Sequence, residues 1–197
     1  MAKVAIAVHA CGFSSKEEIC PAFKSRLRRA QLALIDLPPI NKGEAIVIIT
    51  GGVPYEKGAR LLADLAGDYL SSLYARCKLP YDTFYAFACF NSSTDAQNVL
   101  EICREQKVKR LIVVTSYWHN WMVRQMYKVF NNRSGLSIEF ASPMSRDGAG
   151  IKTVVRYIVF SLLIFTSRII GLFNWLDAKL NKSQVKRQKE FQEIGCD

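Results

Sequence analysis

Five short apolar runs, rich in β-branched residues, alternate along this chain with segments of helical periodicity. Because a strand, a helix and a second parallel strand form the repeating unit of α/β domains, this alternation predicts an α/β fold with a mostly parallel five-stranded sheet. The predicted strands are 4–10, 45–50, 84–90, 111–115 and 136–141, and the predicted helices are 15–36, 56–76, 94–106 and 118–131. Pro21 either starts or interrupts the first helix, since proline is not tolerated in a helix interior.

The length of 197 residues suits one domain with an appendage. We expect an α/β domain over 1–145, an apolar helical segment over 151–180 and a basic polar tail over 181–197. The formal charge of +10 predicts attraction to anions such as phosphorylated molecules or an anionic membrane surface. The basic residues form no aromatic-interleaved stripe and no DNA-binding motif, so nucleic acid is not an expected partner.

The six cysteines include no CxxC pair and no cysteine and histidine combination with zinc spacing. We therefore expect reduced thiols and no metal or redox site. A strand pattern begins almost at the first residue, without a cleavable signal peptide before it, and this predicts a domain that is made and kept in the cytoplasm.

Polar residues follow the predicted strands. Ligands of open α/β sheets bind at the edge where parallel strands end, so these residues are expected to share a neighbourhood. They are His9, Cys11 and Gly12 after the first strand, Thr50, Gly51 and Gly52 after the second, Asn91, Ser92, Ser93 and Thr94 after the third, Thr115, Ser116 and His119 after the fourth, and Ser142 after the fifth. A second interpretation is purely structural: Thr115 and Ser116 cap the next helix, and His119 is an ordinary core or surface histidine.

The candidate residues have distinct chemical uses. The Thr50, Gly51 and Gly52 turn permits a close backbone approach to a phosphate at a helix N-terminus, although such a turn is also common without any ligand. His119 titrates near neutral pH and is a candidate acid, base or phosphate donor. Asn98 either contacts a ligand or holds its own loop, and Arg124 either binds an anion or faces solvent.

The order of these motifs resembles the YdcF/SanA/ElyC family of bacterial α/β domains over about residues 3–141. That family has an SGG turn, an SxNTxENA segment and a VTSxxHxxR segment. This chain matches them at Thr50, Gly51 and Gly52, at Ser92 and Asn98, and at Thr115, Ser116 and His119. It departs from them at Asp95, where threonine is usual, at Gln97, where glutamate is usual, and at Met122, where arginine is usual; the glycine-rich first turn is reduced to HACG. Arg124 is the candidate replacement for the arginine, two residues away.

The resemblance implies a Rossmann-like three-layer fold with a pocket at the strand ends. It also implies either a nucleotide-like ligand, with S-adenosylmethionine proposed for one branch, or a role in envelope and lipid-carrier metabolism for the membrane-anchored branch. His119 would be the catalytic residue, with Thr50, Gly51, Gly52, Ser92, Asn98, Thr115, Ser116 and Arg124 around the ligand. Because the departures fall on catalytic-looking positions, enzymatic activity stays open.

The segment 157–176 is long enough to cross a bilayer, but Arg168 near its middle offsets much of the gain from its apolar residues. Its apolar stripe suits a helix in the membrane interface or one docked on the domain. The basic residues of 179–189 would meet anionic headgroups, so we expect contact with the cytoplasmic membrane surface through 151–189. A single helix that spans the membrane is also open, and the alternative is a soluble cytoplasmic protein with this helix docked on the domain or buried in a dimer.

Together with the resemblance, these features predict a membrane-associated domain that binds a phosphate-bearing or nucleotide-like ligand, such as a phosphorylated small molecule or a lipid-linked phosphate, in cell-envelope or lipid-linked precursor metabolism. A non-catalytic interaction protein with a degenerate site is the alternative from another class. A third reading, an S-adenosylmethionine-dependent enzyme, is weaker because the first strand lacks a glycine-rich turn.

Overall fold

A computed structural model describes residues 3–10, 13–38, 45–52, 59–75, 82–86, 92–131 and 135–142, and the single positions 155, 158, 159 and 162. Seven strands and four helices lie in these ranges. They are β1 (Val4–Val8), β2 (Phe13–Ser15), β3 (Glu18–Ile19), α1 (Pro21–Ile35), β4 (Ala45–Thr50), α2 (Leu62–Ala75), β5 (Asp82–Ala86), α3 (Ser92–Glu105), β6 (Arg110–Val114), α4 (Tyr117–Phe130) and β7 (Ser137–Ala141).

The main sheet has five strands in the order β5-β4-β1-β6-β7, and every pair is parallel. The chain moves outward from β1 through β4 to β5, then crosses to the other side of β1 to form β6 and β7. The strand order therefore reverses between β1 and β6. In doubly wound sheets this topological switch point opens the crevice in which ligands bind.

Helices cover both faces of the sheet. On β1, Val4, Ile6 and Val8 belong to the core beneath α1 and α2, whereas Ala5 and Ala7 belong to the core beneath α3 and α4. All five residues are buried, as expected for a central parallel strand with helices on either side. The prediction of a parallel α/β sheet is thus confirmed, and the fold is Rossmann-like.

The first helix is shorter than predicted. It begins at Pro21 rather than at residue 15, and residues 13–19 form the small β2–β3 hairpin. Pro21 fits the first turn because the N–H it lacks would have had no partner within the helix. Cys20 is the N-cap, and its Sγ accepts a hydrogen bond from the backbone N–H of Phe23 at 3.4 Å.

Other boundaries differ from the predictions by a few residues. Strand β1 ends at Val8 rather than at residue 10, and β5 begins at Asp82 rather than at residue 84. Helix α3 begins at Ser92, two residues early. Residues 56–58 and 87–90, which belong to a predicted helix and a predicted strand, lie outside the described residues.

Most of the predicted C-terminal segment and all of the predicted basic tail also lie outside the described residues. Val155, Ile158, Val159 and Leu162 are helical, and their side chains are about half exposed. Among the described residues, no helix combines the length and the hydrophobicity that crossing a bilayer requires.

Candidate functional site

The residues that follow β1 and β6 lie side by side at the switch point. The backbone N–H of His9 donates to Val114 O at 3.0 Å, which extends the pairing of the two strands by one residue. Helix α4 starts directly after β6, with Ser116 as N-cap in an extended backbone conformation and without a capping bond from its side chain. This short connection places His119 in the first turn of α4, where it is buried beside the end of β1.

A chain of three side chains crosses this edge. Thr115 Oγ1 lies 3.0 Å from Nδ1 of His119, and Nε2 of His119 lies 2.8 Å from Oγ of Ser92. Ser92 is the first residue of α3, which follows β5, whereas the other two residues come from the β6–α4 connection. Both imidazole nitrogens therefore face hydroxyl groups that belong to separate crossovers of the fold.

The environment of His119 favours its neutral form. Burial lowers the pKa of His119 well below 6.5, because the cationic imidazole would lose its hydration. The positive charges of Arg26 and, when protonated, His9 lower this pKa further. At neutral pH His119 is uncharged, so it offers hydrogen bonds rather than a positive charge.

His9 has a polar surrounding of its own behind this chain. Its Nε2 lies 3.0 Å from the phenolic oxygen of Tyr127. Its Nδ1 lies 3.2 Å from Oδ2 of Asp95, but the two atoms are not aligned for a hydrogen bond, so Nδ1 has only an electrostatic contact with the carboxylate. The rings of His9 and His119 are 6.4 Å apart in an edge arrangement, which joins the two groups into one buried polar cluster.

Arg26 of α1 brings a buried positive charge to the same edge. Its side chain approaches the end of β1, where one terminal nitrogen donates to His9 O at 2.9 Å and to Ala10 O at 2.7 Å. The residue is 2% exposed, and its Nε has no hydrogen-bond partner within the described part of the chain. No described carboxylate forms an ion pair with it. A buried cation is costly without a counter-charge, and the described groups that stabilise this one are the carbonyl oxygens of His9 and Ala10.

The Thr50 to Gly52 turn connects backbone segments. Thr50 Oγ1 accepts from the Ala10 N–H at 2.8 Å, and Gly51 O accepts from the Ala63 N–H at 3.0 Å. Gly51 has a φ of +131°, a conformation that favours glycine. The turn thus joins the ends of β1 and β4 to the start of α2, while its predicted contact with a ligand stays a prediction.

Two predicted site residues make contacts away from His119. Nδ2 of Asn98 donates to Thr94 O at 2.9 Å within α3. Nε of Arg124 donates to Asn120 Oδ1 at 2.9 Å, and its guanidinium lies 4.6 Å from the ring centroid of Phe140 on the outer surface. The structure therefore gathers Ser92, Thr115, Ser116 and His119 at one place, but it does not bring Arg124 to them.

Three residues of the cluster were not predicted as site residues: Arg26, Asp95 and Tyr127. The burial of Arg26 could have been predicted from its spacing, because it lies three residues after Phe23 and four before Ala30, on the buried stripe of α1. Asp95 has the pattern of an ordinary helix N-terminal carboxylate. No local sequence pattern indicates that Tyr127 belongs to the site, since its contact with His9 spans 118 positions of the chain.

A cavity of about 290 Å³ lies elsewhere, between α3 and α4, and its lining includes Glu101, Arg104 and Asn131. These residues are near the C-terminal ends of the two helices, so the cavity is near the opposite edge of the sheet. In the described ranges, no group of three histidine, cysteine or acidic residues is arranged to hold a metal ion. We take the polar cluster as the candidate site because it gathers buried polar residues at the switch point of the sheet.

No protein-family model matches this chain, and a search of curated proteins finds no match either. The fold and the site define only the class of protein: a Rossmann-like parallel α/β domain with a buried polar cluster at its switch point.

Proposed function

We propose that this chain is a membrane-associated domain of the YdcF/SanA/ElyC kind that binds a phosphate-bearing or nucleotide-like ligand at the switch point. Its context would be cell-envelope or lipid-linked precursor metabolism. The observation that carries the ligand-binding part is the buried guanidinium of Arg26, which has no carboxylate partner in the described ranges and lies beside the Thr115, His119 and Ser92 chain.

The polar groups at this edge suit a phosphate oxygen. Ser92 begins α3 and Ser116 caps α4, so both hydroxyls lie at helix N-termini. The partial positive charge of a helix N-terminus favours an anion, and hydroxyl groups supply donors to its oxygens. Together with the charge of Arg26, these groups can neutralise and orient an anion without any metal ion.

The proposed membrane contact is supported by the exposed apolar residues near the C-terminus. Val155, Ile158, Val159 and Leu162 follow the i, i+3, i+4, i+7 spacing of a single helical face. The chain carries a net charge of +10, and the segment 179–189 concentrates lysine and arginine. An apolar helical face that is followed along the chain by basic residues is typical of segments that lie in an anionic membrane interface.

The alternative function is a non-catalytic membrane-associated interaction protein. The observation that favours it is the position of Arg124, whose guanidinium stacks on Phe140 and so does not replace the family arginine near His119. Met122, which occupies the family arginine's place, is buried in the core.

Ligand binding is tested by thermal unfolding of the full chain with inorganic phosphate, pyrophosphate, a nucleoside diphosphate, a polyprenyl phosphate and S-adenosylmethionine. We expect a phosphate-bearing compound at 100 times its Kd to stabilise the protein by about 2.7 kcal/mol, or roughly 5–10 °C. Ser92→Ala should reduce this shift, whereas Ser72→Ala, at an exposed hydroxyl of α2, should not.

The absence of a shift with every compound would contradict the ligand-binding proposal and favour the interaction protein. A shift with S-adenosylmethionine alone would support the weaker reading as an enzyme that uses this cofactor. Membrane contact is tested separately by flotation of the full chain with vesicles of anionic or neutral lipid. We expect flotation with anionic vesicles and its loss in the double variant Ile158→Glu, Leu162→Glu; a chain that never floats contradicts the membrane part.

A further inference from the structure

The hydroxyl of Thr115 determines how protons are arranged around His119. Thr115 is fully buried, and in the described part of the chain its Oγ1 has one hydrogen-bond partner, Nδ1 of His119 at 3.0 Å. A threonine hydroxyl has one proton to donate, and a buried donor without an acceptor is unfavourable. Among the described residues, Nδ1 is the acceptor that this hydroxyl faces.

Two neutral tautomers of His119 are chemically available. If Nδ1 carried the proton, it would donate to Thr115 Oγ1, and the threonine proton would be left without an acceptor in a buried place. If Nε2 carries the proton, Thr115 donates to Nδ1 and Nε2–H donates to Ser92 Oγ at 2.8 Å. The second arrangement satisfies the donors of Thr115 and His119 and leaves over only the proton of Ser92, which is partly exposed, so it is the more stable one.

We propose that Ser92 is the residue that donates a hydrogen bond to the ligand, and that Thr115 and His119 are positioning residues that set the direction of its proton. Because Ser92 Oγ accepts from His119, its own proton is free to point away from the imidazole. That proton suits an acceptor oxygen on an anionic group, such as a phosphate or a carboxylate. The identity of this ligand group rests on the proposed function.

The same arrangement argues against His119 as a base toward Ser92. A base must have a lone pair on the nitrogen that faces the hydroxyl, but here Nε2 carries a proton and the lone pair is on Nδ1. The lowered pKa of His119 agrees with a neutral ring that has both nitrogens engaged. His119 is therefore a fixed neutral donor rather than an activator of a serine nucleophile.

The proton position is measured directly by ¹⁵N-edited NMR of the full chain labelled at histidine, at neutral pH. The chain has two histidines, so comparison with the His119→Gln variant assigns their signals. We expect a pyridine-type nitrogen at Nδ1 and a pyrrole-type nitrogen at Nε2 of His119. Thr115→Ser should keep this pattern, whereas Thr115→Val should keep the tautomer but remove the hydrogen bond to Nδ1 and so change the ¹⁵N chemical shift of that nitrogen. A wild-type Nδ1–H tautomer or a charged imidazolium would overturn the inference.

The ligand contact is measured in a separate titration with inorganic phosphate. We expect Ser92→Ala to weaken phosphate binding by about tenfold or more, as for the loss of a hydrogen bond to a charged group. Thr115→Val should weaken it less, and Thr115→Ser should restore it. An Nε2–H tautomer with phosphate affinity unchanged in Ser92→Ala would overturn the role of Ser92. Wild-type protein that shows the Nε2–H tautomer but binds no phosphate would contradict the proposed function. The ligand contact of Ser92, which rests on that function, would then fail as well.

Discussion

Nε2 of His9 lies 3.0 Å from the phenolic oxygen of Tyr127, and both residues are buried. The contact connects the residue that follows the central strand β1 to the helix α4 that carries His119. It therefore fixes the position of α4 relative to the sheet edge, and with it the position of the imidazole that faces Ser92.

Tyr127→Phe should destabilise the protein, because it leaves a buried imidazole nitrogen without its partner. We expect a loss of about 1–3 kcal/mol in the free energy of unfolding, measured by urea denaturation. Tyr69→Phe is the matched control, since its hydroxyl bonds to the exposed side chain of Arg28, and it should change stability by less than about 0.5 kcal/mol. Equal effects of the two variants would argue against a structural role for the His9 contact.

Gly51→Ala should be more damaging than Gly135→Ala. Both glycines have positive φ, at +131° and +102°, so both variants have backbone strain of about 1–3 kcal/mol. A Cβ at Gly51 would also lie 3.3 Å from Ala10 Cβ, Leu62 Cβ and Ala63 N, whereas one at Gly135 meets nothing within 4 Å. Thermal unfolding of both variants checks this, and a smaller loss at Gly51 would contradict the close packing of this turn.

The ion pair between Arg110 and Glu139 should contribute little. Arg110 donates twice to the carboxylate, at 2.8 and 2.9 Å, and this lowers the pKa of Glu139. Both side chains are more than a third exposed, so Glu139→Gln should cost only about 0.2–1 kcal/mol. We expect this difference from wild type to shrink in 1 M salt, where the Debye length is about 3 Å. A cost that is insensitive to salt would indicate a role other than charge pairing.

His119 should make the protein less stable in mildly acidic solution. Its folded pKa is lowered, so below about pH 6.5 the unfolded chain binds a proton that the folded chain excludes. Stability from this residue is complete above that pH and falls as the pH drops toward the folded pKa, by up to about 1.4 kcal/mol per pH unit. Urea denaturation between pH 8 and 5 should show a steeper decline for wild type than for His119→Gln. Parallel curves for the two proteins would show that His119 is not held neutral.

Much of the fold could be predicted because it depends on local patterns. The apolar run of β1 is buried on both faces, and Pro21 marks the start of α1 for a reason that involves only its own ring. The β2–β3 hairpin was not predicted, because its short strands have no clear alternation of apolar and polar residues. The predicted helix 15–36 therefore included most of the residues that form this hairpin.

The candidate site could be predicted only in part. The sequence by itself determined that Ser92, Thr115 and His119 follow strands of one parallel sheet, since parallel strands all end at the same edge. Only the tertiary structure decided that Ser92 meets Nε2 of His119, that Arg124 stacks on Phe140, and that Arg26 is buried beneath the end of β1. These contacts depend on strand order and on the rotation of each packed helix, which are set by long-range packing that no local pattern encodes.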